Sequence, residues 1–368
     1  MTTTQSTDSP DVIAEVRGKL GMITLNRPRA LNALSLGMVR TLLATLLDWQ
    51  KDDAILAVAI RGSNKDGVFG AFCAGGDIRF LHTAGSQGNP ELEDFFTEEY
   101  ALNHLIHTLG KPYIAFMDGI VMGGGMGISQ GGTLRIVTER TKMAMPETAI
   151  GLFPDVGGGY FLSRCPGHVG EWLALTGETI GAGDAIAFGL ADVCVPSDQQ
   201  AALWEALGQQ SFADGQAVQQ WITAKSIAAD ARHASHRADM DHFFGLADVP
   251  AIVAALESAS EHAWAQSMAA LLRKRSPLML HVVLEQIRRA RGMTLAQDLR
   301  MERDLVRHCF YLRPGQSETL EGIRALAVDK DHQPRWQPAR IEDVTPAMWQ
   351  AFFDSPWPAW GHPLAALQ

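Results

Sequence analysis

The chain has 368 residues, of which 46% are hydrophobic and 20% charged, with a formal net charge of -10. That length buries a large core without disulfides and leaves room for a domain plus an added segment. The acidic balance argues against nucleic acid or an anionic membrane as the main partner, while an anionic ligand can still be held by a few basic residues and backbone N–H groups.

The stretch Met1 to Asp11 is rich in Thr, Ser and Asp. It lacks a basic start, an apolar run and an Arg-rich pattern, so no secretory or transit peptide is expected and the protein reads as cytoplasmic. No run is apolar and long enough to span a bilayer. Val12 to Leu25 alternates strand-formers around Arg17-Gly18-Lys19, which predicts a hairpin. Asn26-Arg27-Pro28-Arg29 is a turn, and Asn32 is placed to cap a helix running to Trp49 with Leu36, Val39, Leu43, Leu46 and Leu47 on one face. Ile55 to Arg61 is a short buried strand, followed by a glycine-bearing loop, Gly62 to Gly76, and a helix over Asp94 to Leu109. Tyr113 to Asp118 and Leu134 to Thr138 are further strands, with a glycine cluster and a helix between them. Asp184 to Phe188 and Val193 to Pro196 continue the alternation, which implies an α/β architecture.

After about Ala201 the strand signals fade. Helical patterns dominate to Leu326, including a start at Ser276-Pro277 and an amphipathic helix over Leu295 to Phe310. The division expected is a core over 1–200 that carries the chemistry and a helical region with a tail over 201–368.

Four places can carry chemistry. Met122-Gly123-Gly124-Gly125-Met126-Gly127 follows a strand; its glycines let backbone N–H groups approach a ligand oxygen, as an oxyanion hole requires, and composition alone serves tight helix packing equally well. Phe72-Cys73-Ala74-Gly75-Gly76-Asp77-Ile78 also follows a strand and can supply a second N–H, or simply end at an Asp cap. Met145-Pro146-Glu147 and Phe153-Pro154-Asp155, with Gly157-Gly158-Gly159 after them, set two carboxyls among apolar residues, where burial raises proton affinity. The alternative there is helix capping, the stronger reading for Asp155. Glu98-Glu99-Tyr100 reads by itself as a solvated face.

His104 and His107 stand at helix spacing without a third ligand, and no His-Glu-x-x-His occurs, so no metal site is expected. No Gly-x-Ser-x-Gly elbow supports a serine hydrolase. Cys73, Cys165, Cys194 and Cys309 are too far apart in sequence for a redox pair or zinc knuckle.

Together these segments resemble the crotonase (enoyl-CoA hydratase/isomerase) superfamily, and within it the branch of 3-hydroxyisobutyryl-CoA hydrolases. The resemblance is carried by Ala144 through Leu162, by Ala71 to Arg79 and by Leu173-Ala174-Leu175-Thr176-Gly177. It continues in Ser276-Pro277, Glu321-Gly322-Ile323-Arg324-Ala325 and Asp329-Lys330-Asp331. It implies a spiral of ββα units with an added, mainly helical C-terminal region. It implies an acyl-CoA substrate, no separate cofactor, a role in valine catabolism and room for a homo-oligomer.

By position, the N–H groups of Gly76 and Gly124 would form the oxyanion hole, Glu147 would be the principal acid/base, and Glu99 and Asp155 would contact substrate. Coenzyme A would lie near Arg29, Ala30 and Leu31 and near Ala74, Asp77 and Ile78, with Arg79 reaching a phosphate. Hydratases of the superfamily resemble a two-glutamate design, and the position of their other glutamate is Gly127 here. The implied chemistry is therefore thioester hydrolysis, against the alternatives of an enoyl-CoA hydratase/isomerase or a non-catalytic CoA-binding protein.

Overall fold

The structure is a computed structural model describing residues 10–65 and 70–368. The leader-free reading of the N-terminus falls, through residue 9, outside the described residues, as do residues 66–69 of the glycine-bearing loop.

The expected hairpin forms from β1 (Val12–Arg17) and β2 (Leu20–Leu25), antiparallel, with Arg17 opposite Leu20. Gly18 takes φ +59° at its turn, a conformation that favours glycine. β2 then pairs in parallel with β3 (Ala57–Gly62), and the parallel sheet continues through β4 (Tyr113–Met117), β6 (Leu134–Val137) and β8 (Val193–Cys194). A smaller parallel sheet pairs β5 (Ile120–Met122) with β7 (Lys142–Ala144). Single bridges, Cys73 to Val121 and Leu34 to Gly76, extend it. Successive turns of the chain thus lay one strand on the large sheet and one short segment on the small sheet before entering a helix.

The helices of the first half are α1 (Leu36–Lys51), α2 (Ile78–Gln87), α3 (Glu91–His107), α4 (Gly124–Gln130), α5 (Gly158–Leu162), α6 (Val169–Thr176) and α7 (Ala182–Ala187). Helices then take over, as the sequence predicts: α8 (Gln200–Gln209), α9 (Gly215–Thr223), α10 (Arg237–Phe244), α11 (Val249–Ser258), α12 (Ala263–Leu272), α13 (Pro277–Ala290), α14 (Leu295–Tyr311) and α15 (Glu318–Ile323). A π-helical turn, Arg324–Val328, continues α15. None of the helices among the described residues is long and apolar enough to cross a membrane.

Both faces of the large sheet are buried from β2 onward, while the edge strand β1 is largely exposed. On one side Leu20, Met22, Ile114, Phe116 and Ile136 pack under Trp204 and Leu207 of α8 and Ile222 of α9. The other side faces the main core with Ile23, Val58, Ile60 and Met117. A parallel sheet covered on both faces requires near-continuous apolar strands, and that is how these segments read.

One local expectation is corrected. Asn32 does not cap α1; Ser35 does, its Oγ accepting the Met38 N–H at 3.3 Å. Asn32 is buried, with φ +56°, and its side chain accepts the Arg27 N–H and donates to the Ser63 and Ala71 carbonyls. It staples three loops rather than starting a helix. The buried stripe of α1 runs through Met38, Val39, Leu42 and Leu46, leaving Leu47 39% exposed.

Candidate active site

The two glycine-bearing loops meet because a short ladder joins them. The Cys73 N–H donates to the Ile120 carbonyl and the Met122 N–H donates back to the Cys73 carbonyl, each at 3.0 Å. A β-carbon added to Gly125 would stand 2.3 Å from the Cys73 carbonyl oxygen, so glycine is needed for this approach. The turns beyond the ladder then touch: a β-carbon on Gly75 would lie 3.7 Å from the Gly124 nitrogen. Gly75 (φ +106°) and Gly123 (φ +49°) both hold left-handed backbone. Among the described residues, the bonds of these turns leave the Gly76 and Gly124 N–H groups uncommitted.

Three carboxyls converge on this junction. Glu147 opens a 3-10 turn, Glu147–Ile150, directly after β7, and its Oε1 lies 2.8 Å from where a β-carbon on Gly123 would be. Glu99, on α3, brings its Oε1 to 2.7 Å from the corresponding position on Gly124. Asp155 accepts the Tyr100 hydroxyl at 2.9 Å. Glu98 and Glu99 therefore part company: Glu98 forms a surface pair with Arg40 at 2.7 Å, while Glu99 is buried, so the solvated-face reading holds only for Glu98. Asp155 does not cap α5. Gly157 holds that position with no side-chain cap bond of its own, and carboxylates from α14 take the free N–H groups instead.

The acids line a cavity of about 250 Å³ together with both glycine turns, Ile78, Phe95, Phe96, Ile150 and Val156. A larger surface groove of about 660 Å³ beside His236, His262 and Trp264 is wide open and has neither converging glycine turns nor buried acids.

Burial dominates the electrostatics. It pushes the Glu99 and Glu147 carboxyls well above the ordinary carboxylate range, and the nearby Asp155 charge adds to both shifts. Burial also pushes Asp155 up to about 7, against the hydrogen bond from Tyr100, which favours its anion. Glu99 Oε1 and Glu147 Oε2 are buried without a partner in the chain. Such atoms are expensive to bury unless something binds there. The site is thus poised to accept hydrogen bonds, or to move protons, near neutral pH.

Of the residues assigned to coenzyme A, Ala74 and Ile78 line the same cavity. The Ala74 N–H donates to the Leu31 carbonyl at 3.0 Å, which sets the turn holding Arg29, Ala30 and Leu31 beside the loop with Ala74, Asp77, Ile78 and Arg79. Arg27 ties them further through its 2.9 Å pair with Asp77. Asp77 also caps α2, so its structural reading is satisfied as well. Arg29 and Arg79 are both exposed.

Sequence reasoning missed Tyr100 as the partner of Asp155, and Leu326, which reaches the cavity from the π-helical turn. It also missed the buried acids of α14, because Asp298 and Glu302 read as the polar face of an amphipathic helix.

The model of the enoyl-CoA hydratase/isomerase family matches residues 20–353. The chain belongs to that family. Among its curated relatives, "3-hydroxyisobutyryl-CoA hydrolase, mitochondrial" of Rattus norvegicus is 39% identical over 354 residues, covering 95% of this chain and 90% of the relative. "3-hydroxyisobutyryl-CoA hydrolase 1" of Arabidopsis thaliana is 38% identical, covering 93% and 91%. Among solved structures, a carnitinyl-CoA dehydratase from Mycobacterium thermoresistibile superposes with a TM-score of 0.86 at 38% identity, covering 95% of this chain and 98% of that one. The spiral α/β fold with a helical C-terminal region expected from the sequence is therefore the one observed, and it is the fold of this family.

Within the family, the names of the relatives divide between hydrolases and dehydratases, and Gly127 bears on that division. A β-carbon there would lie 2.6 Å from Val156 Cβ and 3.0 Å from Asn103 Nδ2. The position is filled from outside, and the site carries no acid on α4.

Proposed function

We propose that this chain hydrolyses a 3-hydroxyacyl-CoA thioester, with 3-hydroxyisobutyryl-CoA as the substrate, giving 3-hydroxyisobutyrate and CoA in valine catabolism. One arrangement carries the reading: two uncommitted glycine N–H groups and Glu147 face a single buried cavity, while Val156 occupies the space a second α4 acid would need.

In this reading the thioester oxygen sits between the Gly76 and Gly124 N–H groups. As the carbonyl carbon becomes tetrahedral, negative charge collects on that oxygen and the fixed donors stabilise it; removing one such donor typically costs about 3–4 kcal/mol. Glu147 stands beside the same turn. Its carboxylate either takes a proton from water as that water attacks, or attacks the carbonyl itself to form a mixed anhydride that water then opens. In both routes the carbon–sulfur bond breaks and CoA leaves as a thiolate, a good leaving group. Asp155 and Glu99 are placed to accept the substrate's 3-hydroxyl. A site that hydrogen-bonds a hydroxyl rejects analogues lacking it, because its own buried acceptors are then left unpaired.

A thiol-release assay across 3-hydroxyisobutyryl-, 3-hydroxypropionyl- and crotonyl-CoA tests this. Thiol release from the 3-hydroxyacyl thioesters, without loss of the conjugated absorbance of crotonyl-CoA, supports it. Hydration of crotonyl-CoA without thiol release transfers the chain to the hydratase branch.

A further inference from the structure

The turn that carries Asp155 is held from outside the sheet. Glu302 of α14 uses both carboxylate oxygens: Oε2 accepts the Gly157 N–H at 2.7 Å and Oε1 the Gly159 N–H at 2.9 Å. Gln286 of α13 donates through Nε2 to the Pro154 carbonyl at 2.6 Å and to Glu302 Oε1 at 3.2 Å. Asp298, one turn before Glu302, accepts the Tyr160 N–H at 2.8 Å. All three side chains are fully buried.

The backbone they hold is strained. Val156 has φ +57°, a conformation that a β-branched residue rarely adopts, and Gly157 follows at φ +86°. Strain of this kind persists only where the surroundings over-determine it, and it gathers at functional sites. Val156 is also the residue that packs on Gly127 and lines the cavity. Arg303, next to Glu302 on α14, grips α3, the helix that carries Glu99 and Tyr100. Its Nε donates to Thr97 Oγ1 at 3.0 Å and its Nη2 pairs with Glu93 at 2.5 Å. One helix therefore holds both elements from which the Asp155–Tyr100 pair is built.

We propose that Glu302, supported by Gln286, is a positioning residue: it fixes the left-handed Val156 turn from α14 and so aims the Asp155 carboxyl at the reacting acyl group. The inference rests on the hydrolase reading for the role of Asp155. Without the two N–H bonds the turn relaxes toward negative φ, and Asp155 swings away from Tyr100. Substrate binding through the CoA-facing loops is untouched by that movement, so the loss falls on turnover.

The test is Glu302→Gln, which keeps the shape but meets one N–H with an amide group. With 3-hydroxyisobutyryl-CoA, kcat falls at least twentyfold while the Kd for CoA stays within twofold. Combined with Asp155→Asn, the loss is not additive: E302Q/D155N is within threefold of D155N alone, because Glu302 acts through Asp155. A kcat within threefold of the parent, a parallel loss of CoA affinity, or additive losses overturn the proposal. Should E302Q fail to fold, Gln286→Met decides instead: at least a threefold loss of kcat with unchanged CoA affinity supports positioning, and unchanged kcat overturns it. If the parent releases no thiol at all, the hydrolase reading has failed. The clamp is then judged by amide exchange over residues 154–160, which must quicken more than tenfold in E302Q while α13 stays protected, and unchanged exchange overturns it.

Discussion

Val156 closes the space over Gly127: a β-carbon on the glycine would fall 2.6 Å from Val156 Cβ. The contact is built from a strained residue on one side and the absence of a side chain on the other, so neither position can change alone. Gly127→Glu is therefore not a route to a hydratase. We expect it to destabilise the fold by about 1–3 kcal/mol or more, the range for overpacking a filled core, and to give no hydration of crotonyl-CoA. Denaturant unfolding and a crotonyl-CoA absorbance assay check both halves. A stable variant that hydrates crotonyl-CoA refutes the steric argument.

Glu147 is the residue on which turnover depends most directly. Its Oε1 abuts the Gly123 turn, and its Oε2 is buried without a partner in the chain. Glu147→Gln preserves shape and removes the basic or nucleophilic oxygen. Losing a general base typically costs about 100- to 10,000-fold, and we expect kcat for 3-hydroxyisobutyryl-CoA to fall within or beyond that range. CoA affinity stays within twofold and the far-UV spectrum is unchanged. Turnover near the parent rate removes Glu147 from the mechanism.

The parts of the site legible in the sequence are those whose chemistry is local. Glycines 123–125 and 75–76 permit close backbone approach, to a ligand or to a packed helix, and Pro146-Glu147 sits among apolar residues that suit either a buried carboxyl or a helix cap. What no pattern could disclose is pairing across the chain. Tyr100 and Asp155 are 55 residues apart, and Gly157 and Glu302 are 145 apart. Glu302 and Arg303 lie on a helix whose charged residues read as a wet face because its second buried side is covered only by tertiary packing. Asn32 misled for the same reason: a good capping residue was recruited to bond three loops, and the less conspicuous Ser35 did the capping.

Leu326 is the cavity-lining residue supplied by the C-terminal region. It is 44% exposed, on the π-helical turn that Arg324 pins through Glu321, Asp329 and Asp331. Being half in solvent, it contributes little to folding. Lying at the cavity rather than among the acids, it contacts substrate and transition state alike. Leu326→Ala should accordingly raise KM severalfold with kcat within twofold, the pattern of lost uniform binding. A drop in kcat at unchanged KM contradicts this placement.

Asp155 sets a trade between stability and activity that pH exposes. Its carboxyl ionises near 3.8 when free and is pushed up to about 7 by burial. Between those values the unfolded chain has lost the proton while the folded chain still holds it, so the contribution of Asp155 to stability is full below about pH 4 and drains away as pH rises toward 7. Asparagine has no proton to lose, and its side-chain oxygen can still accept the Tyr100 hydroxyl. Asp155→Asn should therefore match or trail the parent in stability at pH 4 and exceed it above pH 7. The gain there is on the order of 1–3 kcal/mol, given about 1.4 kcal/mol per pKa unit and some return for the buried amide. Over the same range its thioester hydrolysis should fall at least tenfold, since the acceptor for the substrate hydroxyl is changed. Thermal unfolding of both proteins at pH 4, 6 and 8 measures the crossing. A variant less stable than the parent at pH 8 means that burial does not raise the proton affinity of the Asp155 carboxyl, and the electrostatic account of the three acids fails with it.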